Sequence, residues 1–444
     1  MKTGIKNGWI ITMDPQRTVY ENGWLLIEEG RIAALGAGEP SEWVRDETID
    51  WIDAGGSLVL PGFVNCHTHI SMSLFRSLGE DMPDRLRRYM FPLEEELLDP
   101  EMVAAGARLS LLELIQGGVT TFCDMYYFEE EVAKAVQAAG VRAVLGQTIL
   151  GKPAPDAPQP YGGIDRACQF VEAWRGDSLI TPAFAPHAPY TCDEEHLQII
   201  NQLSESYGVP VVMHLAEMTF EVEEFARRYG KSPVQQMEAI GLLTDRLIAA
   251  HLVYVDEADI RALVRHGVGG AHNVAANAKS GRIISPAPAM HQAGLALGLG
   301  TDGPMSGNHQ DIQSLLSTYT RTHKQKALDN RLCPAAEALE LATIGGARAL
   351  KLDHLIGSLE AGKAADLIFL DTKAPNIQPI YDPYSAIVYA AHPHNITLTM
   401  VSGRILMQDR KMKTLDQEQN LEQVRQETRR IARFARELDA RARK

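Results

Sequence analysis

The chain has 444 residues, 45% of them hydrophobic, and its 43 Lys+Arg against 57 Asp+Glu leave a net charge of -14. An acidic surface repels phosphate backbones, so nucleic acid is not an expected partner. No apolar run approaches the ~20 residues that span a bilayer and no apolar h-region follows the first charges, so neither a membrane partner nor a signal peptide is expected.

Residues 1–56 read as short strands and turns, with 23–36 forming a hairpin that turns at Glu29-Gly30. Next comes one apolar run, Ser57 to Cys66, which ends in His67-Thr68-His69. Side chains alternate along a strand, so both imidazoles point the same way, and two of them at a strand end can grip one cation. Alone this pattern is weak, because any two histidines can fall two apart. Further apolar runs follow at 119–124, 143–145, 180–185, 209–214, 247–251 and 295–302. Helical patterns lie between them, among them 100–117, 129–139, 194–207 and 257–266. Strand-helix alternation over about 300 residues predicts a parallel βα architecture, and a (β/α)8 TIM barrel is its closed form at that size. The rival, an open doubly wound sheet, lacks a GxGxxG after its first strand. Segments 357–371 and 396–406 are β-like again, so the two chain ends resemble each other and differ from the middle. The chain divides on this reading into 1–56, 57–356, 357–410 and a C-terminal helix over 411–444. The mixed charges of that helix mark a solvated face. The five cysteines, Cys66, Cys123, Cys168, Cys192 and Cys333, show no CxxC spacing and read as reduced thiols of a cytoplasmic protein.

Polar, metal-capable residues recur at the C-terminal ends of the apolar runs: His67, His69, His187, His214, His251 and Asp302. Barrel active sites form on that face, from the ends of different strands. A single histidine there is ordinarily just a hydrogen-bonded residue of intermediate burial. Six such residues at strand ends point to one centre.

With these residues in place, the sequence resembles the amidohydrolase superfamily. The match runs through Pro61 to His69, His214-Leu215-Ala216-Glu217, Ala250-His251, His272-Asn273 and Gly300-Thr301-Asp302-Gly303. It extends to Gly357-Ser358-Leu359-Glu360-Ala361-Gly362-Lys363-Ala364-Ala365-Asp366-Leu367, the mark of a small β-sandwich built from both chain ends. Within the superfamily it is similar to the deaminase and chlorohydrolase branch, typified by methylthioadenosine/S-adenosylhomocysteine deaminases. The resemblance implies that His67, His69, His214 and Asp302 bind one zinc ion (Zn2+) per subunit, with Fe2+ as the alternative. Three imidazoles and a carboxylate suit either metal and leave a position open for water. It implies further that Glu217 contacts the substrate and shuttles protons, and that His251 and Asp302 help deprotonate and orient the water. His187 and Glu94 would contact the substrate, Glu94 through ribose hydroxyls. No lysine ends the matching strand, so no carbamate-bridged second metal is expected. A homo-oligomer is implied as well.

The implied reaction is hydrolytic deamination of an amino-substituted N-heterocycle, a small molecule, by water. Adenosine-type nucleosides are the first expectation: methylthioadenosine, S-adenosylhomocysteine or adenosine. Guanine, pterin, isoguanine and triazine rings, with dechlorination included, are the alternatives. An inactive barrel serving as an interaction protein is the alternative of a different class, and loss of a ligand or of Glu217 would mark it. Departures from the family pattern bear on the substrate. The stretch Asp81 to Tyr89 lacks the usual tryptophan, and Arg85, Arg87, Arg88 and Tyr89 read as a loop facing water. Gln147 stands where the family has an arginine, and Arg166 lies near, but out of register with, a second. The usual His-Asn-Pro-x-Ser-Asn becomes His272-Asn273-Val274-Ala275-Ala276-Asn277. Glu94 itself also fits an ordinary first-turn carboxylate of a helix.

Overall fold

The structure, a computed structural model, describes residues 2–40 and 46–442. The strands before the barrel are β1 (Lys2–Ile11), β2 (Val19–Glu28), β3 (Arg31–Ala37), β4 (Ile49–Asp53) and β5 (Leu58–Pro61). The barrel strands are β6 (Phe63–Thr68), β7 (Val119–Tyr126), β8 (Arg142–Ile149), β9 (Ile180–Pro186), β10 (Val211–Leu215), β11 (Leu247–His251), β12 (Gly269–His272) and β13 (Ala296–Leu299). After them come β14 (Leu367–Leu370), β15 (Ile396–Val401), β16 (Arg404–Gln408) and β17 (Lys411–Met412).

Strands β6 to β13 lie side by side in chain order, and each neighbouring pair is parallel. The Asp302 amide donates to the His67 carbonyl at 3.0 Å, which ties the last strand's exit to the end of the first. This is the (β/α)8 barrel expected from the alternation. Its helices include Pro100–Gln116, Glu129–Ala139, Glu194–Tyr207 and Glu257–Arg265. Asp99, Asp193 and Asp256 cap three of these by accepting backbone N–H groups of the first turn.

The remaining strands form a second sheet, ordered β17-β16-β15-β14-β5-β1-β2-β3 with β4 on β1, so it is built from both chain ends. It folds back on itself. The Glu29-Gly30 turn, with both residues at positive φ, packs on the Ser402-Gly403 turn although their strands are distant in the pairing order. Between the halves lies a core that includes Ile5, Leu25, Ile27, Val59, Leu367, Phe369, Leu398 and Met400. Arg142, at the start of β8, pairs with Asp366 at 3.0 Å and donates to Ser402 Oγ at 2.9 Å, all buried or nearly so. That ion pair fastens the second sheet to the N-terminal end of the barrel strands, leaving the other end free for chemistry.

One expectation changes. The run Ser57 to Cys66 reads as a single strand, yet Leu58–Pro61 pairs with β1 and β14 in the outer sheet and only Phe63–Thr68 enters the barrel. The chain crosses over at Gly62, where a Cβ would run into Thr120. The loop reading of Arg85 to Tyr89 also changes. Leu86–Met90 is a single π-helical turn, Tyr89 is buried, and Arg88 and Tyr89 both bond Asp439 of the C-terminal helix. That helix, Gln417–Ala442, is docked rather than solvated all round, with Ile431, Phe434, Ala435 and Leu438 buried. Among the described residues no helix is long and apolar enough to cross a membrane, and all five cysteines are free thiols.

Candidate active site

A second core cluster takes Val64 and Cys66 from β6, Cys123 and Met125 from β7, and Val212, Ile248 and Ala250 from β10 and β11. Only the barrel interior brings these strands together. Plain alternation from Val64 and Cys66 would turn His67 outward. It does not, because the pairing of β6 with β7 slips between Asn65 and Thr68. Asn65 and Thr68, three positions apart, both bond Gln310 outside the barrel, at 3.4 and 2.9 Å. The irregularity re-aims His67 and His69 inward, a recurrent use of such bulges beside active sites. His251 is re-aimed differently: after Ile248 and Ala250 it takes φ 77°, and Asp302 takes φ 59°. Both are left-handed, a conformation uncommon for residues with a Cβ and concentrated at functional positions.

The structure brings His67, His69, His187, His214, His251, Glu217 and Asp302 to one place. The His67 ring centre lies 4.9 Å from those of His69 and His214 and 5.3 Å from that of His251. The His187 ring lies 4.8 Å from that of His214. His69 Nδ1 donates to the Met125 carbonyl and His214 Nδ1 to the His187 carbonyl, each at 2.7 Å. These bonds fix the tautomers, so both Nε2 atoms present lone pairs inward, as second-shell carbonyls do for metal ligands. The two Nε2 atoms are 3.3 Å apart. Asp302 Oδ1 lies 3.4 Å from His69 Nε2 and 3.8 Å from His67 Nε2, and neither His67 ring nitrogen has a hydrogen-bond partner among the described residues.

Acceptors facing one another this closely in a buried site repel unless a cation lies between them. Tetrahedral ligands at zinc–nitrogen lengths of about 2.0–2.1 Å sit about 3.3–3.4 Å apart, which the His69–His214 spacing matches. Among the described residues, two triplets of donor atoms are tight enough to hold an ion: His67, His214 and His251, and His67, His69 and Asp302. The donor set therefore fits a divalent metal. Burial depresses the basicity of His67, His69, His187 and His214. His67 and His187 fall well below the usual histidine value, and His214 falls to about 4. They are neutral, the state a metal ligand needs. Burial works to raise Asp302, but the surrounding His251, His69 and His214 outweigh it and hold the carboxylate low.

Glu217 follows β10 on a turn held by Glu221, whose carboxylate accepts the Ala216 and Glu217 amides at 2.9 Å each. Its Oε1 sits 3.6 Å from His251 Nε2 and 2.9 Å from an Arg282 nitrogen. Burial acts to raise Glu217, yet His251 and Arg282 prevail and keep it below the ordinary glutamate value. Glu94 lies further out. It is buried in the first turn of Phe91–Glu96 and accepts the Tyr126 hydroxyl at 2.8 Å; the Tyr126 ring lies 6.3 Å from that of His69. Gln147 is turned away, donating to Asp156 at 2.9 Å, and Arg166 reaches the same Asp156 at 3.4 Å.

Sequence reasoning overlooks Glu221, Tyr126 and Arg282. Glu221 had one signal, its place three residues after the helix-capping Met218, but the cap is not the usual Ser or Thr. Nothing in the sequence marks the other two.

A model of the amidohydrolase family matches residues 58–406. A protein of Syntrophobacter fumaroxidans named 5-methylthioadenosine/S-adenosylhomocysteine deaminase is 40% identical, covering 94% of this chain and 96% of its own. One of the same name, numbered 1, from Syntrophus aciditrophicus is 36% identical over 97% of each chain. The crystal structure of an adenosine deaminase from Xanthomonas campestris with bound zinc superposes with a TM-score of 0.94 at 32% identity, covering 97% of this chain and 98% of that one. Family match, fold and relatives agree: the chain belongs to the amidohydrolase family, as a hydrolase of its deaminase and chlorohydrolase branch.

Proposed function

We propose that the protein is a zinc-dependent aminohydrolase of adenosine-type nucleosides, with one metal per chain held by His67, His69, His214 and Asp302. The observation that carries this reading is the facing pair of lone-pair nitrogens, His69 Nε2 and His214 Nε2, 3.3 Å apart beside Asp302. Zinc in such a site supplies Lewis acidity, which brings the pKa of water from about 15.7 to about 7.

The other steps belong to the chain. Asp302 and His251 accept the proton of the attacking water and orient its oxygen toward the ring carbon that bears the amino group. Glu217, ionised at rest, takes that proton over and delivers it to the adjacent ring nitrogen, drawing electron density away from the attacked carbon. A C–O bond forms, the proton left on that oxygen passes to the amino group, the C–N bond breaks and ammonia leaves. Acid–base help of this kind is typically worth about 10²–10⁴-fold. His187 faces the heterocycle, and Glu94 accepts ribose hydroxyls. The names of the two deaminase relatives and of the Xanthomonas campestris enzyme support a nucleoside. Gln147 brings no positive charge, so a remote carboxylate, as in S-adenosylhomocysteine, adds little.

The test is ammonia release by zinc-loaded enzyme from adenosine, methylthioadenosine, S-adenosylhomocysteine, adenine, guanine, a pterin and an aminotriazine. Nucleosides are expected to give the highest kcat/KM. Equal or better turnover of free bases, pterins or triazines would overturn the nucleoside assignment. Chloride release from a chlorotriazine without ammonia release from any amine would overturn deamination.

A further inference from the structure

Arg282 has no part in the assignments above, yet it pairs directly with Glu217. It follows the helix Val274–Lys279, and Gly281 at φ +67° turns the chain just before it. One terminal nitrogen forms an ion pair with Glu217 Oε1 at 2.9 Å and donates to the Met218 sulfur at 3.1 Å. The other donates to Asn277 Oδ1 at 3.1 Å. Asn277 Oδ1 also accepts His251 Nδ1 at 3.0 Å, while His251 Nε2 faces Glu217 Oε1 at 3.6 Å. The contacts close a ring: Arg282, Glu217, His251, Asn277 and back to Arg282.

We propose that Arg282 is a positioning residue for the reaction, holding Glu217 and His251 in one frame; the inference rests on the aminohydrolase reading. Each arm of the guanidinium serves one side. One fixes the carboxylate that hands over the proton. The other fixes, through Asn277, the tautomer and tilt of the imidazole that faces the water. By engaging Oε1, Arg282 leaves Oε2 as the oxygen for the ring nitrogen. A planar fork spans two acceptors on different segments, and a lysine ammonium, a single point charge, does not. Displacements of about 1 Å in such a frame cost on the order of 10²-fold in rate.

The experiment compares wild type, Arg282→Ala and Arg282→Lys on the wild type's best substrate. It measures zinc content, unfolding midpoint, kcat, KM and the response to added guanidinium ion. In Arg282→Ala, zinc and midpoint are expected to hold, kcat to fall on the order of 10²-fold with KM little changed, and guanidinium to restore part of kcat. A merely structural arginine would not give recovery by the free ion. Unchanged kcat, or a lost kcat that guanidinium does not lift in the folded, zinc-replete variant, overturns the proposal. If Arg282→Ala does not fold, Arg282→Lys decides: reduced kcat with zinc retained supports the frame, and full turnover contradicts it. A wild type that releases no ammonia sinks the deaminase reading and this inference with it, whereas an active wild type beside an unimpaired variant sinks the inference alone.

Discussion

Glu217 sits beside the Arg282 guanidinium and the His251 imidazole, and that setting fixes what it can do. His251 and Arg282 hold it below the usual glutamate value against the pull of burial, so it is ionised at neutral pH and ready to accept a proton. Glu217→Gln is nearly isosteric but cannot carry protons, so zinc and fold should persist while kcat falls at least about tenfold. A smaller loss would show that another group does the work. Glu94 behaves in the opposite way, since burial lifts it to about 7 despite the Tyr126 hydroxyl. Its carboxylate form, the better acceptor for ribose hydroxyls, grows as pH rises through about 7. The kcat/KM ratio of nucleoside to free base should therefore climb across that range and flatten in Glu94→Gln. Stability has the reverse sign. A raised folded value favours folding below the ordinary carboxylate range, and that advantage is lost as pH rises through about 7. At this scale His67, His69, His214 and Asp302 were legible as strand-end residues. Their inward aim was not, because it depends on a slipped register beside Asn65 and on positive φ at His251 and Asp302. Arg282 was illegible because its role depends on where a loop folds back.

The elements around the mouth are coupled to the far end of the chain. Arg88 and Tyr89 both bond Asp439, Arg441 bonds Glu96, and Arg430 bonds Asp99, so the C-terminal helix grips the segment that carries Glu94 from both sides. Burying Ile431, Phe434 and Leu438 is worth about 1.5–3 kcal/mol each, against about 0–1 kcal/mol for an exposed ion pair. The apolar face therefore docks the helix, and the ion pairs set how the Glu94 segment lies against it. Asp439→Ala should leave the unfolding midpoint nearly unchanged but raise KM for nucleosides several-fold with little effect on kcat. Steady-state kinetics on nucleoside and free base check this, and an unaltered nucleoside KM would refute the coupling. The helix itself was readable from its charge pattern. Its docking was not, because three apolar residues in a charged stretch look like ordinary surface until a partner face is known. The split of the apolar run at Gly62 was hidden for a similar reason: both halves are equally apolar, and only the approach of Thr120 marks the crossing.

Across the whole molecule, strand-helix alternation carried most of the architecture, because a parallel barrel needs one crossover per strand and each leaves its periodic mark. The fold then does the work that no single motif can. Residues from His67 to Asp302 converge because β6 and β13 meet when the sheet closes, with the Asp302 amide on the His67 carbonyl. The second sheet, fastened beneath by Arg142 and Asp366, keeps clear of the mouth. The central claim is that this convergence holds a single metal on which hydrolysis depends. The direct measurement is a titration of zinc into metal-free enzyme, following ammonia release from the preferred nucleoside, with His214→Ala as the control that should neither bind zinc nor turn over. The account predicts no turnover without metal and a linear rise that saturates at one zinc per chain. Turnover in the metal-free enzyme, or activity that needs a second equivalent, would contradict it.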